Sequence, residues 1–455
     1  MYRIAFLSVH TSPLARPGSR EAGGMNIYVR ELARQLGRRG HQVDIFTRRQ
    51  DPDSAGVVSW DANVRVIQVA AGPEGPVGKE QVYHLLPEFG RGVLAFREGK
   101  GEGYDLVHSH YWLSGWVGQM LQGQWRVPHI VMFHSLGEAK NRARISEHEP
   151  LQRIEGEREI AHGADRVICA SQDERELLQR LYAVPADQVE VVPCGVDLDA
   201  FRPLDKGEVR RRLGLRDEPI VLFVGRIEPL KGIDILLRAA AQLGEDIHFC
   251  LVIVGGDESA QAEKADLERL AQEMGIGGRV AFLDAVDHEM LPLYYNAADV
   301  CVVPSYYESF GLVALEAMAC GTPVVASRVG GLQGTVRDSE TGYLIPWRCP
   351  EPFAERLELL LENEELRRNL GLSARAVAES YGWANIAQQV EAVYERLAGG
   401  RVAVRFADSA SGGGAACCRR QEPAEGQADP PLAEAQGPGQ VLAGTCCGSP
   451  SLASG

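Results

Sequence analysis

The sequence predicts an α/β fold with two doubly wound domains that face each other across a cleft. Two observations support this prediction. Short runs rich in Val and Ile alternate with amphipathic helical stretches, which is typical of βαβ units around parallel sheets. The alternation pauses near residue 200 and then restarts, so the chain of 455 residues contains two Rossmann-like cycles.

In the first cycle, apolar runs predict strands and one amphipathic stretch predicts a helix near residues 25–39. This helix carries Ile27, Leu32 and Leu36 on one face and arginines on the other. Ligands of such sheets bind at the carboxyl ends of the strands, so functional residues are expected there. The predicted strands are RIAFLSV, QVDIFT, VRVIQVA, DLVHSH, HIVMFHS, RVICAS and VEVVPCGV.

The second cycle predicts further strands and helices in alternation. The strands are IVLFVGR, LVIVGG, VAFLD, VCVVPS and PVVAS, and the helices lie near 206–213, 232–242, 261–274 and 311–320. A last helical stretch, roughly 383–398, has no strand after it. We therefore predict four parts: an N-terminal domain (1–200), a C-terminal domain (201–382), a helix (383–400) that returns to the N-terminal domain in one hypothesis, and a disordered, low-complexity tail (401–455).

Composition excludes several classes of protein. The formal net charge of −15 argues against general nucleic-acid binding, which needs a basic face. No apolar run approaches the roughly 20 residues that span a bilayer, and the N-terminus indicates a buried strand rather than a signal peptide. The cysteines lack zinc-site spacing. We expect a cytoplasmic protein without a metal ion, stable membrane insertion or a nucleic-acid partner.

The segment YYESFGLVALEAMACGTPVVAS carries two carboxylates in the spacing E-x7-E. Glu308 lies in the loop after a buried strand, and Glu316 lies within a helix that opens near Gly311. Backbone N–H groups at such a helix start attract an anion. We interpret Glu308 as an acceptor of hydrogen bonds from sugar hydroxyls and Glu316 as the ligand of a ribose diol. An acidic cap and a surface carboxylate are the alternative.

The segment FVGRIEPLKGIDILLRA places two cations at the end of another predicted strand. Arg226 ends the strand, and Lys231 follows five residues later, just before a helix. Two cations at the carboxyl edge of a sheet can clamp a diphosphate and stabilise the charge that develops on a departing nucleotide. A solvated loop pair is the alternative.

Two weaker patterns lie in the N-terminal half. Gly23 and Gly24 precede the first helix, where glycine permits close backbone approach to a diphosphate or a sugar, although such pairs also form plain turns. His110 and His134 follow two strands, where a histidine can donate to a sugar hydroxyl. A structural histidine stays open at both positions, and a metal pair lacks a third ligand in the sequence.

With these motifs, residues 1–397 resemble the GT-B fold, metal-independent, retaining glycosyltransferases that carry the E-x7-E motif. The N-terminal half is most similar to the D-inositol-3-phosphate glycosyltransferases of mycothiol synthesis. The shared strings are HTSPL-x-x-PG, GGMN-x-Y, VDIFTR, AAGP, HSHYWLSG and ESFGLVALEA. That family transfers N-acetylglucosamine from UDP-GlcNAc to 1D-myo-inositol 3-phosphate. The resemblance implies an acceptor-side N-terminal domain and a nucleotide-sugar-binding C-terminal domain.

The resemblance also implies roles for individual residues. Donor contacts would come from Gly24, Arg226, Lys231, Glu308 and Glu316. His134 would lie beside the donor sugar and act in catalysis with Arg226, Lys231 and Glu308. Acceptor contacts would come from His10, Asn26, Lys79, Tyr111, Ser135 and Arg153, whose two cations and two hydroxyls suit a phosphomonoester. No cofactor is implied, and retention is expected through front-face attack assisted by the leaving phosphate.

Other acceptors and one non-enzymatic interpretation stay open. The N-terminal features are also similar to sucrose-phosphate synthases, whose acceptor is a hexose phosphate. Transfer to a lipid, as by a phosphatidylinositol mannosyltransferase, would need a basic amphipathic face. Arg30, Arg34, Arg38 and Arg39 could supply charge, but long apolar companions are missing. A sugar-nucleotide-binding module would predict loss of the motif residues, which are present. A homodimer is a further hypothesis.

Overall fold

The computed structural model describes residues 1–15, 23–101, 103–143, 148–257, 260–346 and 348–410. Within these residues the chain forms two sheets covered by helices, which confirms the predicted α/β fold with two Rossmann-like units. The first sheet has eight strands in the order β3-β4-β2-β1-β5-β6-β7-β8. Its strands are β1 (Arg3–Leu7), β2 (Gln42–Arg48), β3 (Val57–Asp61), β4 (Val64–Val69), β5 (Leu106–His110), β6 (His129–Met132), β7 (Arg166–Cys169) and β8 (Val189–Val191).

The second sheet has six parallel strands in the order β11-β10-β9-β12-β13-β14 across the described chain. These strands are β9 (Ile220–Val224), β10 (Cys250–Val254), β11 (Val280–Leu283), β12 (Val300–Val303), β13 (Val324–Ser327) and β14 (Gly342–Ile345). The sequence did not predict β3 and β14. Strand β3 is a partly exposed antiparallel edge strand, so it lacks the continuous apolar run of a buried parallel strand.

Helices connect the strands and cover the sheets. They are α1 (Gly24–Arg38), α2 (Lys79–Lys100), α3 (Trp112–Trp125), α4 (Gly137–Ala143), α5 (Leu151–Gly163), α6 (Gln172–Tyr182), α7 (Lys206–Leu213), α8 (Ile233–Ala240), α9 (Gln261–Glu273), α10 (Leu291–Ala297), α11 (Leu312–Ala319), α12 (Leu332–Thr335), α13 (Pro350–Glu362), α14 (Glu364–Ala378) and α15 (Trp383–Ala410). Short 3-10 turns include Pro229–Lys231 and His288–Met290. None of the helices in these residues is long and apolar enough to cross a membrane.

Strand order explains where the site can form. Strand β1 lies between β2 and β5, and β9 lies between β10 and β12, with parallel pairing throughout. All five residues of β5 are buried, as are all four of β12. Because central parallel strands are buried on both faces, polar groups can reach solvent only from the loops at their ends. The loops after these strands therefore carry the candidate residues.

The last helix, α15, packs its first turns against the N-terminal sheet. The Tyr394 hydroxyl lies 2.7 Å from Nδ1 of the fully buried His108 on β5. The Glu391 carboxylate bonds Nε2 of His41 at 2.8 Å and forms an ion pair with Arg39. The C-terminal end of the compact part of the chain thus closes the interior of its N-terminal half.

The predicted end of this helix was wrong. Helix α15 runs to Ala410, ten residues past the predicted end at residue 400. The end was predicted where the low-complexity segment begins at residue 401, but even the glycines of such a segment cost only about 1 kcal/mol each in a helix and do not forbid one. Residues 411–455, which include the adjacent pairs Cys417-Cys418 and Cys446-Cys447, lie outside the described residues. The remaining domain boundaries stay predictions.

Candidate active site

A cavity of about 370 Å³ lies where the strands of both sheets end. Its walls come from the loops after β1, β5 and β6 on one side and after β9, β10 and β12 on the other. All but one of the residues predicted for the site line this cavity: His10, Gly24, Asn26, Lys79, Tyr111, His134, Ser135, Arg226, Lys231, Glu308 and Glu316. The structure thereby brings residues from distant segments into one crevice.

On the C-terminal side, Lys231 and Glu308 form an ion pair. The lysine Nζ lies 2.6 Å from the carboxylate Oε2. Gly232 has φ +66°, and a Cβ there would lie 2.1 Å from the carbonyl oxygen of Pro304, so only glycine lets the two loops approach this closely. The Tyr306 N–H also donates a hydrogen bond to a carbonyl oxygen of the loop that carries Lys231. The two motifs, far apart in sequence, therefore meet as one unit.

The loop that carries Glu308 is held from a third direction by Gly330 and Gly331, which sequence reasoning missed. The Gly331 N–H donates to the Glu308 carbonyl oxygen at 3.0 Å. Gly330 has φ +47°, and a Cβ there would lie 1.9 Å from the same oxygen. The signal available in the sequence was the pair of glycines that follows the predicted strand PVVAS after two intervening residues.

Arg226 lines the cavity but is half-exposed, and its guanidinium bonds the Glu228 carboxylate at 3.0 Å. The predicted pair of cations, Arg226 and Lys231, thus lies on one wall, each cation beside a carboxylate. An incoming diphosphate would compete with these carboxylates for the two cations.

Glu316 is buried, with both carboxylate oxygens bonded. The Tyr295 hydroxyl donates to Oε2 at 2.8 Å, and His288 Nε2 lies 2.9 Å from Oε1. Burial alone would lower the pKa of His288, but the Glu316 carboxylate raises it above its ordinary value. Sequence reasoning missed His288 because a single histidine outside any motif carries no signal of its own.

On the N-terminal side, neutral histidines form the floor of the cavity. His134 adopts φ +61°, and its Nε2 lies 3.1 Å from Nδ1 of His110. Burial lowers the pKa of His134 to about 3 and that of His110 well below its ordinary value. Burial, with Lys79 nearby, also lowers the pKa of His10. His110 does not line the cavity and supports His134 from behind.

Tyr111 occupies a strained position at the cavity wall. Its φ of 75° and ψ of 157° lie in a region that residues other than glycine seldom adopt and that costs about 1–3 kcal/mol. Its ring is packed 4.6 Å from the His10 ring, with Arg153 4.9 Å and Lys79 5.6 Å from its centroid. Such strain persists only where the surroundings fix the residue, so these contacts define the orientation of its hydroxyl.

Arg153 is the one predicted site residue that does not line the cavity. Its Nε bonds Glu157 at 2.7 Å, its NH1 bonds Glu149 at 2.8 Å, and its NH2 donates to the carbonyl and hydroxyl oxygens of Ser135 at 2.8 and 3.1 Å. All three guanidinium nitrogens are therefore engaged within the protein. Arg153 lies behind Ser135 and Tyr111 in this structure.

Two lysines complete this wall, and one of them was missed. Lys140 on α4 lines the cavity and bonds Glu149 at 3.0 Å. Lys79 opens into the cavity, yet many protein atoms surround its ammonium group; this burial, with Lys140, Arg153 and Arg226 nearby, lowers its pKa to about 8. The sequence string AKN holds Lys140, but no motif singled it out.

Asn26 and Gly24 bring the start of α1 to the cavity. The Asn26 amide donates to the Thr11 hydroxyl and the Ser12 carbonyl oxygen, both at 2.7 Å. This ties the helix start to the loop after β1, of which residues 16–22 lie outside the described residues. Gly24 faces Leu312 of α11, where a Cβ would lie 2.9 Å from that side chain, so the two walls come close here.

Comparison with known proteins gives the family. A D-inositol 3-phosphate glycosyltransferase 2 from Catenulispora acidiphila is 43% identical over 420 residues, with 90% of this chain and 98% of that protein covered. A D-inositol 3-phosphate glycosyltransferase from Geodermatophilus obscurus is 44% identical, with 87% and 90% covered. The chain belongs to the D-inositol 3-phosphate glycosyltransferase family. This confirms the resemblance inferred from the motifs.

The domain families and a solved structure agree with this assignment. Residues 22–200 match the Glycosyltransferase Family 4 description, and residues 205–377 match Glycosyl transferases group 1. The structure of a sucrose-phosphate synthase from Thermosynechococcus elongatus superposes with a TM-score of 0.81 at 40% identity, covering 87% of this chain and 99% of that one. The protein is a glycosyltransferase enzyme with the GT-B fold.

Proposed function

We propose that this enzyme transfers N-acetylglucosamine from UDP-GlcNAc to 1D-myo-inositol 3-phosphate, with retention of anomeric configuration, as a step of mycothiol synthesis. The carrying observation is the single cavity with a lysine–carboxylate pair on its C-terminal wall and a group of cations on its N-terminal wall. One wall suits a nucleotide sugar and the other suits a phosphorylated acceptor. The names of the relatives support this choice of acceptor.

On the donor side, Lys231 and Arg226 would hold the diphosphate, and their charge would stabilise the negative charge that develops as the nucleotide leaves. Glu308, paired with Lys231, would accept hydrogen bonds from the sugar hydroxyls, and Glu316 would hold the ribose. Gly24 would allow the backbone at the start of α1 to approach the donor. Nothing in this arrangement calls for a metal ion or a cofactor, and that expectation stays a prediction.

On the acceptor side, Lys79, Tyr111, Ser135 and Arg153 would bind the phosphate. His10 and Asn26 would contact the polyol. His134 is neutral because burial lowers its pKa to about 3, so it can donate one hydrogen bond to the donor sugar without adding charge. The departing phosphate oxygen would take the proton of the attacking hydroxyl on the same face, which gives retention.

A sucrose-phosphate-synthase-like reaction is the second candidate, because that solved structure is 40% identical to this chain. It would use a hexose phosphate in place of inositol phosphate, with the same donor chemistry. Transfer to a lipid is less well supported, since Arg30 and Arg34 of α1 are engaged in ion pairs with Glu31 and Asp61. A purely sugar-nucleotide-binding module does not fit the enzyme family.

The deciding experiment measures UDP release from UDP-GlcNAc and UDP-glucose, each with 1D-myo-inositol 3-phosphate, myo-inositol or fructose 6-phosphate. We expect turnover with UDP-GlcNAc and inositol 3-phosphate, and a product that keeps the anomeric configuration by NMR. Turnover only with UDP-glucose and fructose 6-phosphate would favour the second candidate. We also propose a cytoplasmic location and a homodimer, which fractionation and light scattering test.

A further inference from the structure

Glu149 lies between Lys140, which lines the cavity, and Arg153 behind the wall, and neither the motifs nor the family resemblance assign a role to it. Its Oε1 lies 3.0 Å from Lys140 Nζ, and its Oε2 lies 2.8 Å from Arg153 NH1. One carboxylate therefore bridges two cations, each oxygen bonding one of them. This is the geometry in which two oxygens of a phosphate would contact the same two cations.

The backbone of Glu149 is fixed as well as its side chain. Its N–H donates to Oδ1 of Asn141 at 2.6 Å, and the Asn141 amide donates back to its carbonyl oxygen at 3.4 Å. Asn141 follows Lys140 directly on α4, so the same helix holds both the cation and its carboxylate partner. Although burial alone would raise it, Arg153 and Lys140 lower the pKa of Glu149 to about 2, so the group is ionised near neutral pH.

Among the described residues of this wall, three cations lie beside two carboxylates. Lys79, Lys140 and Arg153 are the cations. Glu149 pairs with Lys140 and Arg153, and Glu157 pairs with Arg153. Glu157 is fully buried and also accepts bonds from the Gly137 N–H and the Tyr182 hydroxyl, which hold it in place beside Arg153. Glu149 is the exchangeable partner, since 16% of its side chain is exposed.

We propose that Glu149 is a specificity-determining residue that a phosphomonoester acceptor must displace from Lys140 and Arg153. A phosphate dianion carries more charge than the carboxylate and replaces both of its bonds, so the exchange is favourable. A neutral polyol has no charge with which to replace these ionic bonds, so Glu149 stays bound to the two cations. The carboxylate thereby favours phosphorylated acceptors over unphosphorylated ones by competition, an inference that rests on the proposed phosphorylated acceptor.

The test compares Glu149→Gln with Glu138→Gln. Glu138 lies on α4, the helix that carries Lys140, but it pairs with Arg142 on the exposed surface at 3.2 Å and does not line the cavity, so its substitution changes the net charge equally away from the site. Inorganic phosphate is titrated into each full-length protein by calorimetry, and acceptor KM is measured with inositol 3-phosphate. We expect Glu149→Gln to bind phosphate about tenfold more tightly than wild type and to lower acceptor KM, because a competing charged contact is lost. Glu138→Gln should match wild type.

Weaker phosphate binding in Glu149→Gln would overturn the proposal and show that Glu149 only supports Arg153. Unchanged phosphate binding would also contradict it. Glu149→Asp keeps the charge, so it should restore wild-type phosphate affinity, which separates the charge from general damage to the fold. If wild type turns over no phosphorylated acceptor but the calorimetric difference holds, the proposed function fails while the competition stands.

Discussion

The two walls of the cavity are built on different physical principles. On the C-terminal wall, the predicted side chains come from two contiguous segments, which the ion pair between Lys231 and Glu308 joins. On the N-terminal wall, the predicted groups come from several separate segments of the chain. They are joined in a network in which Arg153 alone bonds three residues. The difference teaches that local motifs can build the C-terminal wall, whereas the N-terminal wall depends on long-range packing.

The largest expected effect tests whether a side chain of the C-terminal wall acts in turnover without contributing much to stability. We expect Lys231→Ala to lower turnover by about 10² to 10³-fold, because a charge that stabilises the leaving diphosphate is lost. The melting temperature should change by only a few degrees, since the Lys231–Glu308 pair is partly exposed. Kinetics and calorimetric melting measure the two effects.

The matched control is Lys264→Ala, which removes a lysine from an ion pair with Asp284 at 2.8 Å outside the cavity. Its turnover should equal that of wild type. If Lys231→Ala lost stability in proportion to its loss of turnover, the two walls would not differ in this respect, and the proposed role of Lys231 would be contradicted.

The acceptor wall should respond in the opposite way. Glu157 is fully buried and accepts bonds from Arg153 Nε, the Gly137 N–H and the Tyr182 hydroxyl. Glu157→Ala leaves these three buried donors without their acceptor and Arg153 with Glu149 as its remaining carboxylate partner, so we expect destabilisation of about 3 kcal/mol or more in denaturant unfolding. Glu155→Ala, at an exposed position on the same helix, should change stability little. A mild effect at Glu157 would mean that the network is less tightly coupled than its geometry indicates.

The KM values of the two substrates should depend differently on pH. The pKa of Lys79 is lowered to about 8, so this cation is charged at pH 7 and loses its proton as the pH rises through 8. We expect the acceptor KM to rise about eightfold between pH 7.5 and 9, while donor KM changes less. Lys79→Arg stays charged over this range and should flatten the rise. A parallel rise in Lys79→Arg would assign the pH dependence to another group.

The smallest effect sharpens the comparison on the donor side. The pKa of His288 is raised by Glu316, so the imidazolium that supports Glu316 is present at low pH and is lost as the pH rises through that raised pKa. Because a neutral imidazole still donates one bond, donor KM should rise only about threefold on deprotonation. His288→Gln should show the higher KM at all pH values, and the exposed His84→Gln should behave as wild type. A change in kcat alone would argue against support of Glu316.

The sequence predicted the buried parallel strands well because long apolar runs leave few alternatives. The motifs around Glu308 and Lys231 also identified their common crevice, since a strand, a loop and a helix follow one another there. Most helices of the N-terminal half were not predicted; α3, for example, is apolar nearly all round, which hides its helical period. The ion-pair network around Arg153 and Lys140 could not be predicted, because it joins α4, α5 and the loop after β6 through tertiary contacts alone.

The packing of α15 against the first sheet has a consequence for biosynthesis. His108 lies in the middle of the first Rossmann-like unit, yet its ring partner, Tyr394, is 286 residues later in the chain. During translation, the N-terminal half therefore emerges from the ribosome long before the residues of α15 that cover it are synthesised. During that interval, the apolar surface that α15 will cover is exposed to solvent. Chaperones are expected to bind this surface until α15 has been translated.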